Sequence, residues 1–310
     1  MISCTDSVQR TFIHKKRKKG VGTIFKQNIT GWLMLLPTVI FAYFIIWRPT
    51  FVGFYDSLFK MNGSALVSFT GLKNYIDVIT DTNFVTVLGN TFKYTFWSLV
   101  IGFVPPVFIA MLLNEVRKGK DFFRIGVYLP VVLPGIAVYM LWYYMYLPGT
   151  SGLLNTFLGK VGISPYTWLQ DQNLAIVWII ISMTWHSMGG TVLMYLATLQ
   201  GINRELYEAA EIDGAKIRHK IRYIMLPHIY PVALLLLIRQ IIGVFQVMEQ
   251  PLTMTGGGPN GATTSLALLA YKYAFEYYKF DKAMATGVIT FLILCVLTGA
   301  YLVIEKKLND

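Results

Sequence analysis

Residues 205–227 read ELYEAAEIDGAKIRHKIRYIMLP, a charged stretch of helix-favouring residues lying between two runs apolar enough to sit in lipid. Asn203 is placed to cap a helix whose first turn carries Arg204 and Glu205, with Leu206, Ala209 and Ala210 roughly along one face. Asp213-Gly214 ends that helix, because glycine accepts the left-handed conformation that closes it. A second helix is expected from Ala215, with Ile217, Ile221 and Ile224 on one side and Lys216, Arg218, Lys220 and Arg222 mostly elsewhere. Pro227 allows no simple continuation into the next apolar run. The spacing thus predicts a helix–glycine–helix hairpin with an acidic first arm and a basic second arm.

The flanking runs set the fold class. The chain has 310 residues, 55% hydrophobic and 14% charged, with a mean hydropathy of +0.53. A soluble domain carries roughly a quarter charged residues, so this surplus of apolar residues predicts an all-α polytopic membrane protein. Six runs, near 31–54, 88–113, 125–147, 174–197, 230–248 and 284–304, are long enough to cross about 30 Å of hydrocarbon at 1.5 Å per residue. Backbone polar groups in lipid must pair within their own segment, so all six are expected to be transmembrane helices. The division expected is a basic cytoplasmic tail over 1–30 and a six-span domain over 31–310, with the hairpin loop at about 200–229. Pro105 and Pro106 are expected to interrupt span two, and Pro130 and Pro134 span three, either for packing alone or to shape a cavity. Tyr139, Trp142, Tyr143, Tyr144 and Tyr146 read as an interfacial aromatic belt at the outer end of span three.

The net charge of +11 could suggest a nucleic-acid partner, but the basic residues recur in short loops beside apolar runs. Under the six-span reading, 18 of the 27 lysines and arginines fall on one side, including Arg10, Lys15, Lys16, Arg17, Lys18, Lys19 and Lys26 of the tail and Arg117, Lys118, Lys120 and Arg124 of the second inner loop. That asymmetry is the positive-inside pattern and places both termini and the hairpin in the cytoplasm. There the hairpin has two readings: interfacial helices on anionic headgroups, or an element that enters a groove on a protein partner. The basic arm suits the first. Glu205, Glu208, Glu211 and Asp213 favour the second, since headgroups repel them.

The same residues carry a family resemblance. EAAEIDGA from Glu208 to Ala215, with Leu226-Pro227 eleven residues on, resembles the EAA loop of bacterial ABC importer membrane subunits of the type I permease fold. FTGLKNYIDVI (69–79), FFRIGVYLPVVLP (122–134), WLQDQNLAI (168–176), LQGINRELYEAAEIDGA (199–215) and LTMTGGGPNGATTSL (252–266) are similar to the maltose-type, carbohydrate-importing branch. Ile221 stands where members often carry phenylalanine, and the large extracellular insert of the maltose permease itself is missing, so no function tied to that insert carries over. The resemblance implies a multi-pass permease in a bacterial cell membrane that forms half of a sugar path and relays ATPase closure to it. It implies Glu208, Ala209, Ala210, Asp213, Gly214, Ala215, Leu226 and Pro227 as the ATPase-coupling residues. Implied partners are a second, similar permease, two copies of a cytoplasmic ATPase and an extracellular sugar-binding protein. ATP and magnesium would sit on the ATPase, and no cofactor on this chain.

No G-x-x-x-x-G-K-[ST] phosphate loop occurs. Cys4 and Cys295, and His14, His186, His219 and His228, are too scattered for a metal site or a nucleophilic triad. A non-catalytic transport subunit is therefore expected. The rivals are a secondary transporter, which needs titratable pairs or broken helices in matched halves, and a membrane-anchored scaffold. Arg239 and Gln240 within span five, and Gln246 and Glu249 near its outer end, are candidates for the substrate path. A structural ion pair or a subunit contact is the alternative for Arg239. Trp185, His186 and Ser187 join an aromatic face to hydrogen-bonding groups and are candidate sugar contacts, with interior packing as their alternative.

Overall fold

The structure, a computed structural model, describes residues 29–309 apart from Ser64 and Arg117. The basic tail, with Cys4 and His14, lies outside the described residues but for its last two positions. Two compact units are distinguished, residues up to Gly53 and Phe54–Asp310. In the first, helix α1 (Gly31–Asp56, which runs across the boundary) is long and apolar enough to cross a membrane. Leu33, Phe41 and Ile45 on it are exposed, as lipid-facing side chains must be.

The second unit begins with a feature absent from the sequence reading. A two-stranded antiparallel hairpin, β1 (Phe59–Asn62) and β2 (Ala65–Phe69), precedes the next helices. Gly63 turns it at φ +60°, and the Asn62-Gly63 pair is a strong hairpin signal that was there to be read. Asn74, in α2 (Lys73–Ile79), donates Nδ2–H to the carbonyls of Ser57 and Phe59, 2.8 Å each, and so fastens the ribbon. The other elements among the described residues are helical.

Four more helices pass the length and apolarity test, or five if one bent pair counts as a single span. They are α3 (Phe84–Glu115), the pair α4 (Lys120–Val132) and α5 (Gly135–Met145), α7 (Ala175–Gln200), α9 (Ile217–Phe245) and α12 (Phe280–Asn309). Short helices lie between them: α6 (Leu153–Lys160), α8 (Arg204–Ile212), α10 (Glu249–Thr255) and α11 (Leu266–Tyr271).

The backbone bears out the interruptions expected in spans two and three and corrects the one expected at Pro227. Span two is interrupted just before Pro105 and Pro106, by a π-turn at Ser98–Gly102 and a bend at Phe103, and the two prolines sit at the start of the segment Val104–Glu115. Proline is tolerated there because the first turn of a helical segment does not need its N–H. Pro227 behaves likewise, behind a π-turn at Ile221–Met225, so the basic arm of the hairpin runs on into span five as one helix. Span three is more than kinked. Its two halves meet at 95° across Leu133-Pro134, a residue pair held extended before and at the proline.

Helix α7 is the centre of the packing and touches α3 and α4 most extensively. Gly189 allows this. A Cβ there would lie 2.4 Å from the Val127 carbonyl oxygen and 2.9 Å from the Tyr128 Cα, so the two backbones are in direct contact. Toward one end of α7, Ile179 and Ile180 pack with Tyr94, Tyr146 and Trp168; toward the other, Val192, Tyr195 and Leu199 pack with Ala110, Met225 and Ile229. Tyr139 and Tyr146 are thus core residues, not members of an interfacial belt; Tyr143 and Tyr144 are the exposed pair.

Candidate functional site

Between α3, α5, α7, α9 and α10 lies a cavity of about 470 Å³. Arg239, Gln240, Gln246, Glu249 and Ser187 line it, so five of the seven candidate path residues converge although they come from separate elements. Two polar side chains rest on glycine backbones. A Cβ at Gly102 would meet Gln240 Nε2 at 2.8 Å, and one at Gly135 would meet Glu249 Oε1 at 2.7 Å. Gln240 also donates to the Ser98 carbonyl at 2.6 Å, an acceptor in the π-turn of α3. Arg239 places Nη1 4.0 Å from Sδ of the Met194 thioether.

His186 and Trp185 stand outside this lining. The Gln250 amide donates to the Tyr139 hydroxyl at 2.9 Å, Tyr139 meets His186 Nδ1 at 3.1 Å, and His186 Nε2 meets the Leu133 carbonyl at 3.2 Å. A carbonyl can only accept, so Nε2 carries the proton, and in the neutral ring Nδ1 accepts from Tyr139. The imidazole is fully engaged in holding the 95° break of span three. Trp185 stacks edge-on against Trp142, 5.8 Å between centroids. Tyr139, Thr184, Thr191 and Gln250 line the cavity and were missed in the sequence. Gln250 had a signal, being next to Glu249. Thr184 and Thr191 had none beyond lying one turn either side of Ser187 and Met188.

At the other end of α7 the hairpin has the expected form. Asn203 Oδ1 accepts from the Glu205 N–H at 3.1 Å and caps α8. The Ala215 N–H donates to the Ala210 carbonyl at 2.8 Å and the Gly214 N–H to the Glu211 carbonyl at 3.0 Å, with Gly214 at φ +71°. These two bonds make a Schellman closure around a left-handed glycine. The second arm begins at Ile217, with Lys216 before it, two residues later than expected. Lys220 donates to Glu211 Oε1 at 2.7 Å and ties the basic arm to the acidic one, its side chain only 13% exposed. Tyr207 turns inward; burial, and then the Glu115 carboxylate, push its phenol above the ordinary tyrosine value.

The outward face of α8 is unusual for a protein surface. Leu206, Ala209 and Ile212 recur at three-residue spacing on one side and are exposed, Ile212 at 87%. Glu205 and Glu208 flank them, also exposed. Asp213, Gly214, Leu226 and Pro227 are exposed and Ala210 and Ala215 half-buried.

The family model "Binding-protein-dependent transport system inner membrane component" matches residues 102–309. The chain is 32% identical to the probable ABC transporter permease protein YurN of Bacillus subtilis, over 88% of this chain and 94% of that one. It is 32% identical to the trehalose/maltose transport system permease protein MalF of Thermococcus litoralis, over 92% of this chain and 97% of that one. Among solved structures, a chain of a bacterial ABC transporter that imports the acidic polysaccharide alginate superposes with a TM-score of 0.81 at 24% identity, covering 93% of this chain and 99% of that one.

Proposed function

The chain belongs to the family of binding-protein-dependent transport system inner membrane components, and from that premise we propose that it carries a saccharide through the cavity between α3, α7 and α9. The observation that bears most on this is the convergence of Ser187, Gln240, Gln246, Glu249 and Gln250 on one cavity between helices long and apolar enough to cross a membrane. Hydroxyl-rich cargo needs such donors and acceptors where water is absent, and relatives named for sugars support the class. The chain is the membrane subunit of an ABC importer. Its proposed companions are a second permease, a pair of cytoplasmic ATPase subunits that hold ATP and magnesium, and an extracellular sugar-binding protein.

The hairpin is the proposed coupling element. Leu206, Ala209 and Ile212 form an apolar strip that water alone does not favour, and the small Ala209 lets a cleft close on the backbone. Acidic flanks disfavour an anionic membrane surface as its cover. A protein cleft with basic rims fits, and the ATPase is the partner on that side. The Glu211–Lys220 bond and the Gly214 closure make the two arms one lever, and the basic arm is continuous with span five. Movement of the cleft would therefore reach the wall that carries Arg239 and Gln240.

Two outcomes are expected. Glu249→Ala removes a charged hydrogen-bonding group, worth about 1.5–3 kcal/mol, and should lower saccharide uptake roughly tenfold or more with assembly intact. Trp185→Ala, off the cavity, should change uptake by no more than about threefold. Equal and negligible effects of both in a transport assay would remove the cavity from the path. For topology, a chain with both native cysteines changed to serine should react with an impermeant maleimide added to intact cells at Ser151→Cys but not at Lys216→Cys. Labelling of Lys216→Cys from outside would reverse the proposed cytoplasmic placement of the hairpin and the termini.

A further inference from the structure

Arg239 presents a charge to the cavity that no carboxylate among the described residues answers. It stands thirteen positions beyond Leu226, roughly 20 Å along α9, inside a helix long and apolar enough to cross a membrane. No carboxylate among the described residues forms an ion pair with it, and its polar contact is with the Met194 thioether. Glu249 shares the cavity but rests against Gly135, at the wall formed by the start of α5. A guanidinium at this depth is costly unless water or an anion meets it. Water in an open cavity can do so. Once the path closes on its cargo that water is displaced, and the cargo must then supply the counter-charge.

We infer that the cargo bears a carboxylate, as an oligosaccharide containing uronate residues does, and that Arg239 is the residue that selects it. The inference rests on the saccharide reading above and narrows it. The planar fork of a guanidinium matches a carboxylate with two parallel hydrogen bonds, a geometry no single hydroxyl offers. Gln240, Gln246, Ser187 and Glu249 remain for the hydroxyls, where a carboxylate such as Glu249 acts as an acceptor. A carboxylate on the second permease is the competing answer to the same charge, and it predicts a different pattern.

The test uses the complete importer in proteoliposomes with a panel of labelled oligosaccharides: neutral glucans, and galacturonate oligomers as free acids and as their neutral methyl esters. The wild type should carry the acids, and the acid should compete against labelled acid about tenfold better than the ester. Arg239→Gln should lower acid uptake about tenfold more than it lowers ester uptake, and Arg239→Lys should recover part of the difference. Because the binding protein is constant, the change in the acid-to-ester ratio between variants belongs to the permease. An equal fall for acid and ester, or failure of Arg239→Gln to assemble with rescue by Arg239→Lys, would assign Arg239 to a subunit ion pair and overturn the inference. A wild type that carries neutral members and refuses the acids overturns it too, with the saccharide reading intact. A wild type that carries none of the panel sinks the saccharide reading itself.

Discussion

Gly189→Val is expected to yield almost no folded transporter. The helix that carries Gly189 touches α4 backbone to backbone, and a Cβ would enter the space of the Val127 carbonyl oxygen at 2.4 Å. No rotamer change relieves a contact between a Cβ and a backbone atom, so the helices must separate. Overpacking that side chains absorb costs about 1–3 kcal/mol, and forced separation of a central helix pair exceeds that. Gly190 supplies the control, because a Cβ there meets nothing within 4 Å. Gly190→Ala should be silent or slightly stabilising through helix propensity, whereas Gly189→Ala should already be harmful. Yield and monodispersity after detergent extraction, with thermal midpoints for the three variants, read this directly. A monodisperse Gly189→Val protein with an unchanged midpoint would mean that α4 and α7 do not pack as described.

Gly214→Val should be as damaging to transport but for a different reason, and it should spare the membrane domain. Nothing crowds Gly214, so the cost is conformational: its φ of +71° is a region that β-branched residues strongly avoid. Moving it out of that region dissolves the two closing bonds to Ala210 and Glu211 and lets the arms swing. A graded series follows, with Gly214→Asn mild, Gly214→Ala costing about 1 kcal/mol, and Gly214→Val worst. Uptake should follow that order while yield and thermal midpoint stay level. Uptake independent of the series would detach the hairpin angle from transport.

The sequence made some of this legible and hid the rest for identifiable reasons. Periodicity and charge located the spans and the hairpin because both follow from local rules: length in lipid, a capping asparagine, a left-handed glycine. Pro227 misled because the sequence does not register the π-turn at Ile221–Met225, which leaves this proline at the start of the segment Leu226–Phe245 with no break in the helix. Leu133-Pro134 does break span three, but the break is held by His186 from 53 residues away, and no local pattern announces such a bond. The same distance effect turned Tyr139 and Tyr146 from a belt into core. The cavity was half-legible. Polar residues inside an apolar run stand out, so Arg239, Gln240, Gln246 and Glu249 were visible, whereas the glycines that seat them, Gly102 and Gly135, carry no signature of their own.

The central claim is that the acidic arm of the hairpin seats in the ATPase and transmits its closure. Glu208 is exposed on that arm beside Ala209, and Glu208→Lys changes its sign without touching the capping or closing bonds. At a partly desolvated contact, attraction becomes repulsion, which costs several kcal/mol. On an anionic membrane surface the same change would be neutral or helpful. The deciding measurement is affinity purification of Glu208→Lys through this chain, with the retained ATPase quantified and saccharide uptake measured on the same membranes after insertion is verified. The account predicts that most of the ATPase is lost and that uptake falls with it. Full ATPase retention together with wild-type uptake would contradict it.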